Sequence, residues 1–302
     1  MSLPAGARGG IARAKLNLFL HVTGRRSDGY HLLDSLVVFP EMGDRLTVAP
    51  ATTLSLRVTG RFADQAGALE DNLAWRAAKA LQRHAAGAGA TIALEKRLPV
   101  AAGLGGGSAD AAAALGALHD LWALDLPAQK LARLALTLGA DVPVCLVGMP
   151  SRMQGVGDIL SPVPPLPAFW TVLVNPGRAV STLAVFSRLR WRPRRAVDLP
   201  SRFSALPNFL RWLEQQDNDL ADAAMTVAPE IGAALDALAA QPEVLLARMS
   251  GSGATCFGIC ESGDSARRVA DRLSRENRRW WITSAGVGNH AAAAHQTTRA
   301  TT

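Results

Sequence analysis

One stretch, Leu98-Pro-Val-Ala-Ala-Gly-Leu-Gly-Gly-Gly-Ser-Ala-Asp-Ala-Ala112, limits what this chain can fold into more than any other. Before it, residues 91–95 alternate as a strand, with Ala90, Ile92 and Leu94 on one face and Thr91 and Ala93 on the other. Pro99 ends the extended run and restricts Leu98. Gly103, Gly105, Gly106 and Gly107 then carry no side chain that would keep a ligand from the backbone. From Ser108 an Ala-rich run with Leu115, Leu118 and Trp122 at helical spacing predicts a helix. Successive amides feeding a helix N-terminus form an anion cradle, and polyphosphate is its obvious occupant. The usual glycine signatures do not fit: no Lys follows as in a Walker loop, and Ser108 stands where a dinucleotide fingerprint needs Gly. The alternative, a flexible linker or a close packing contact, is disfavoured by the flanking strand and long helix.

A chain of 302 residues can bury a large core, and two domains are expected. The Pro-rich stretch 162–167 is the best boundary, dividing 1–164 from 165–302. No apolar run reaches membrane-spanning length, and residues 2–10 lack a signal-peptide apolar segment, so a cytoplasmic protein without a membrane partner is expected. Cys145, Cys256 and Cys260 include no Cys-x-x-Cys pair, which supports neither a zinc site nor a disulfide framework. The net charge of +7 suits a nucleic acid, an anionic surface or an acidic small molecule. Its arginines gather at 188–195, including Arg192, and along 267–279, where acidic residues interrupt them. Solvated faces account for both clusters more easily than a nucleic-acid platform does.

Other residues stay open to two readings. Residues 11–22 alternate, with Ala14, Leu16, Leu18 and Leu20 on one face and Lys15 and Asn17 on the other. Lys15 is then either an edge-strand guard against aggregation or a cation held on a rigid element. Tyr30 and His31 close a turn-rich loop, either as an anchor or as a pair that stacks on a base. Asp71 is expected to cap a helix over 72–84, and a further helix runs from Pro127 to Gly139. Asp141 in Gly139-Ala-Asp-Val-Pro143 either caps the next element or presents a functional carboxylate. Ser181 caps a short helix that holds Phe186, residues 188–206 read as a surface excursion, and the tail from Gly288 frays. Met249-Ser-Gly-Ser-Gly-Ala-Thr255 is a second glycine loop.

The ordered set Ala14-Lys-Leu-Asn-Leu18, Gly29-Tyr-His31, Pro99-x-x-x-Gly-Leu-Gly-Gly-Gly-Ser108, Gly139-Ala-Asp-Val-Pro143 and Ser250-Gly-Ser-Gly-Ala-Thr255 resembles the GHMP kinase superfamily. The first two blocks and the Gly-Ala-Asp-Val-Pro block are similar to the family acting on 4-diphosphocytidyl-2-C-methyl-D-erythritol. That resemblance implies an α+β fold with an N-terminal domain like the second domain of ribosomal protein S5, a C-terminal α+β domain, and an active site in the cleft. It implies ATP- and Mg²⁺-dependent phosphorylation of the substrate's 2-hydroxyl. Asp141 would be the base and Lys15 its partner; Tyr30, His31 and Phe186 would hold the cytosine, with Asn17 near the alcohol. Lys96, Pro99, Gly103, Leu104, Gly105, Gly106, Gly107, Ser108, Ala109, Gly251 and Gly253 would fall on the ATP side, Ser108 also near Mg²⁺. A monomer or weak homodimer acting on a cytidine-diphosphate compound, without nucleic acid, is the expectation. The rivals are a kinase for mevalonate, homoserine or a sugar, a silent sensor on the same fold, and an arginine-driven nucleic-acid binder. Asp110 departs from the family's usual Asn, and is expected either to stabilise the helix's first turn or to add a Mg²⁺ contact.

Overall fold

The computed structural model describes residues 6–190 and 194–288. Where one strand is expected across 11–22, there are two: β1, Arg8–Arg13, and β2, Leu16–Arg25. Sequence alternation runs on through the break, but Ala14 and Lys15 carry the chain from one sheet into another. β2 pairs with β3, His31–Val38, whereas β1 pairs with β4, Gly43–Ala51. Next come β5, Leu54–Thr59, helix α1, Leu73–Gln82, and β6, Gly89–Glu95. β5 and β6 are parallel, which requires a crossover, and α1 supplies it. The resulting sheet has the order β1-β4-β6-β5.

Asn72 rather than Asp71 caps α1, its side-chain oxygen accepting the Ala74 and Trp75 amides. Helix α2, Gly106–Leu121, begins before Ser108 because Gly105 takes the left-handed N-cap conformation at φ +61°. Helices α3, Ala128–Leu138, and α4, Val142–Val147, follow. Strands β7, Ser151–Gly155, and β8, Ile159–Pro162, complete a second sheet of order β2-β3-β7-β8. Leu46, Val48, Ile92 and Leu94 pack on Leu81 of α1 and on Leu115 and Leu118 of α2. Each such fully buried side chain contributes about 1.5–3 kcal/mol.

After residue 162 come β9, Phe169–Asn175, α5, Thr182–Arg188, α6, Leu206–Glu214, α7, Ala221–Val227, and α8, Glu230–Ala239. They are followed by β10, Leu246–Met249, β11, Cys256–Cys260, α9, Gly263–Glu276, and β12, Trp281–Val287. A third, antiparallel sheet has the order β10-β11-β9-β12. Ile231 and Leu238 of α8 and Val269 and Leu273 of α9 join Val172 and Val174 of β9 in one core. Ser181 caps α5 as expected. Cys256 and Cys260 are buried, and Cys145 is half-buried.

The expected surface excursion is fastened to the body at several points. Residues 194–205 form no helix or strand, yet the Val197 amide donates to Asp34 at 2.7 Å. Asp34 in β3 is fully buried, and Arg152 of β7 donates to both its oxygens at 2.8 and 2.7 Å. A buried carboxylate persists only when so paired. Arg194 reaches Asp217 at 3.0 Å and Asp219 at 3.1 Å. Arg192 and the tail from 289 lie outside the described residues. Among the described residues, no helix is long and apolar enough to cross a membrane.

Candidate active site

Lys15 stands where the chain passes from the first sheet to the second. Its amide donates to Leu104 O at 2.8 Å, so the glycine loop rests directly on it. Its ammonium donates to Asp141 Oδ2 at 2.9 Å. The Lys15 side chain is 6% exposed and that of Asp141 35%, leaving the carboxylate open to a ligand. Asp141 occupies the N-cap position of α4, but its side chain caps no amide. The carboxylate is turned to Lys15 instead.

Both residues line a cavity of about 620 Å³ whose wall also holds Gly103, Gly105, Gly106, Gly107 and Ser108. No side chain caps α2, so its first amides and the positive end of its dipole remain open to an anion. Gly103 has φ +75°, and a Cβ there would sit 2.4 Å from Ser250 O. Only glycine lets the two glycine loops meet this closely. Ser250 Oγ donates to Gly103 O at 2.9 Å, and the Thr255 amide donates to Ala102 O at 3.1 Å. From the other side, Asn218 Nδ2 donates to Met249 O at 2.9 Å and to Gly251 O at 2.8 Å.

The remaining expected residues fall into two sets. Lys96, Pro99, Phe186 and Gly251 are on the cavity wall. The His31 ring stacks on Phe186, with centroids 5.0 Å apart and planes inclined by 22°, and burial together with Arg25 lowers its pKa. Leu104 and Ala109 are buried and not on the wall; the Leu104 carbonyl accepts the Lys15 amide, and the Ala109 amide donates to Gly105 O at 2.8 Å. Asn17 is also buried, its amide hydrogen-bonded to Ser250 Oγ and its Nδ2 donating to Ser35 Oγ at 2.8 Å. Gly253 faces away, since a Cβ there would meet Met249 S at 2.8 Å and Ile231 at 3.0 Å. Tyr30, 66% exposed, is not on the wall.

Sequence reasoning missed Asp44, Ser181, Thr182 and Ser252. The last three bring hydroxyls to the wall, and Thr182 Oγ1 and Ser252 Oγ are 2.9 Å apart. Ser252 lay in plain view between two glycines; Ser181 and Thr182 were hidden by the cap role. Asp44 had no motif at all. Buried Lys96 is bonded to Asp44 and to Asp110, the latter at 2.7 Å. Burial pushes the Asp110 carboxyl up to about 7 despite the opposing pull of Lys96. Among the described residues, no three His, Cys, Asp or Glu side chains gather to hold a metal ion.

With this geometry in hand, the comparisons with known proteins are specific. The model of the GHMP kinases N terminal domain matches residues 72–149, and that of the GHMP kinases C terminal matches 202–279. A 4-diphosphocytidyl-2-C-methyl-D-erythritol kinase of Cereibacter sphaeroides is 52% identical over 278 residues, covering 91% of this chain and 97% of that protein. A crystal structure of 4-(cytidine 5'-diphospho)-2C-methyl-D-erythritol kinase superposes with a TM-score of 0.74 at 36% identity, covering 93% of this chain and 100% of the other. Homoserine kinase from Cytophaga hutchinsonii shares the fold, with a TM-score of 0.64 at 16% identity over 95% of this chain and 96% of its own. The two-domain GHMP architecture, the matched domain models and the near-complete coverage at 52% identity make the chain a member of the GHMP kinase superfamily and, within it, of the 4-diphosphocytidyl-2-C-methyl-D-erythritol kinase family.

Proposed function

We propose that this protein transfers the γ-phosphoryl group of ATP to the 2-hydroxyl of 4-diphosphocytidyl-2-C-methyl-D-erythritol, giving the 2-phosphate and ADP. The observation that carries this reading is the Lys15–Asp141 pair at 2.9 Å in the same cavity as the uncapped N-terminus of α2. An alcohol, a base and a polyphosphate cradle are what phosphoryl transfer needs in one place. In this reading, residues 1–164 and 165–302 are the two domains, and the cavity draws on both.

Asp141 accepts the proton of the hydroxyl as that oxygen attacks in line. Lys15 orients Asp141 and offsets negative charge gathering on the transferred group. Open amides at Gly106, Gly107 and Ser108 hold the phosphates, and the loop glycines keep side chains out of their way. The donor set suits Mg²⁺ carried by the nucleotide, which takes few protein ligands, here the Ser108 hydroxyl. When bound, Mg²⁺ neutralises phosphate charge. His31 and Phe186, with Tyr30 next to His31 in sequence, supply the aromatic faces and ring nitrogen that suit a cytosine. Asn17 supports Ser250 behind the position of the alcohol.

The test is ADP release with Mg-ATP, comparing the cytidyl alcohol with mevalonate, homoserine and galactose. Turnover of the cytidyl alcohol alone is expected. Preference for any of the other three would keep the transfer chemistry but reject the cytosine site.

A further inference from the structure

Lys96 lines the nucleotide side of the cavity, but its ammonium is already engaged on two sides. Asp44 of β4 and Asp110 of α2 both accept from it, and all three side chains are buried. Asp44 does more than pair with Lys96. Its Oδ1 accepts the Arg97 amide at 2.6 Å and the Leu98 amide at 2.8 Å, the two residues that lead into the glycine loop. Its Oδ2 lies 3.7 Å from the place a Cβ on Gly106 would occupy, directly beneath the start of α2. One carboxylate therefore touches the entrance of the cradle by two hydrogen bonds and its exit through Lys96 and Asp110.

Asp44 is also tied to the catalytic pair. It sits opposite Ala12 in the β1–β4 ladder, three residues before Lys15, and the neighbouring Gly43 packs so closely that a Cβ would overlap Ala12 O. The strand that fixes Lys15 thus fixes Asp44, and Asp44 fixes the loop that holds the phosphates. Two buried carboxylates around one ammonium are costly for stability alone, because desolvating three charges offsets much of their attraction. Such a cluster is better explained by what it positions.

We infer that Asp44 is a positioning residue for the nucleotide cradle, acting through the Arg97 and Leu98 amides and through Lys96 to set the glycine loop in register with Lys15. This inference rests on the nucleotide reading of the cavity given above. It assigns Lys96 to holding the loop rather than to meeting phosphate.

The test is Mg-ADP affinity by calorimetry, with KM for ATP and for the alcohol measured alongside, in Asp44→Asn. The amide oxygen of Asn still accepts from Arg97 and Leu98, so the fold is retained while the tie to Lys96 is lost. Mg-ADP affinity should fall about tenfold or more and KM for ATP rise to match, with KM for the alcohol within about twofold of wild type. Asp110→Leu cuts the same chain at its far end and should give the same split if Asp44→Asn does not fold. Unchanged Mg-ADP affinity, or an equal rise in both KM values, would overturn the inference and leave a stabilising cluster only. Absence of Mg-ADP binding by the wild type would instead overturn the nucleotide reading itself, and the inference with it.

Discussion

Lys15 and Asp141 are 126 positions apart in sequence and 2.9 Å apart in the structure. Each is legible as part of a motif, but neither motif shows that the two meet; the β1–β2 crossover and the start of α4 bring them together. Asp44 was illegible for a related reason. A lone Asp in a strand has no spacing signal, and its partners come from the turn after β6, with α2 reached through Lys96 and Asp110. His21 is a further buried polar residue, and burial is the main cause that lowers its pKa from 6.5. Its Nε2 accepts the Asp217 amide at 3.2 Å, a bond that a second ring proton would break. As pH falls below 6.5, the unfolded chain takes up this proton before the folded one, so stability rises with pH across that window and is lost on acidification. Urea midpoints at about pH 7.5 and 5.5 should therefore differ more for wild type than for His21→Gln. Equal differences would mean that His21 does not set this dependence.

At the level of elements, alternation and caps predict the strand before the glycine loop and the helices α1, α2, α3 and α5, and the failures have local causes. The alternation of residues 11–22 continues across a change of sheet, so hydrophobic spacing alone could not reveal the break at Ala14 and Lys15. Asp71 and Asn72 are both good caps, and only the geometry selects Asn72. The stretch after α5 read as a surface excursion because its anchors, Asp34 and Arg152, lie in distant strands. Both glycine loops are expected on the ATP side, but no spacing signal shows the contact between Gly103 and Ser250 that makes them one unit. Gly103→Ala should lower stability by about 2–4 kcal/mol, because a positive φ and a backbone clash both oppose the new methyl group. Urea unfolding measures this. A loss within about 0.5 kcal/mol would show that the loops can separate without cost.

The whole molecule brings the glycine loop with the open start of α2, the Lys15–Asp141 ion pair and Phe186 onto the wall of one cavity, with His31 stacked on Phe186. The first two come mainly from strands and helices before residue 162; Phe186, Gly251 and Ser252 come from beyond it. Composition bounded this arrangement only loosely, since a net charge of +7 fits several partners. The ordered motifs were far more informative because four of the five, all but Gly29-Tyr-His31, sit where an element begins or ends on the cavity. The central claim is that Asp141 is the base for phosphoryl transfer. Its most direct test is single-turnover transfer from Mg-ATP to the cytidyl alcohol by Asp141→Asn, with binding of both ligands measured in parallel. The account predicts affinities within about threefold of wild type and a transfer rate lower by about 10²–10⁴-fold. Transfer at the wild-type rate, with both ligands bound, would contradict it.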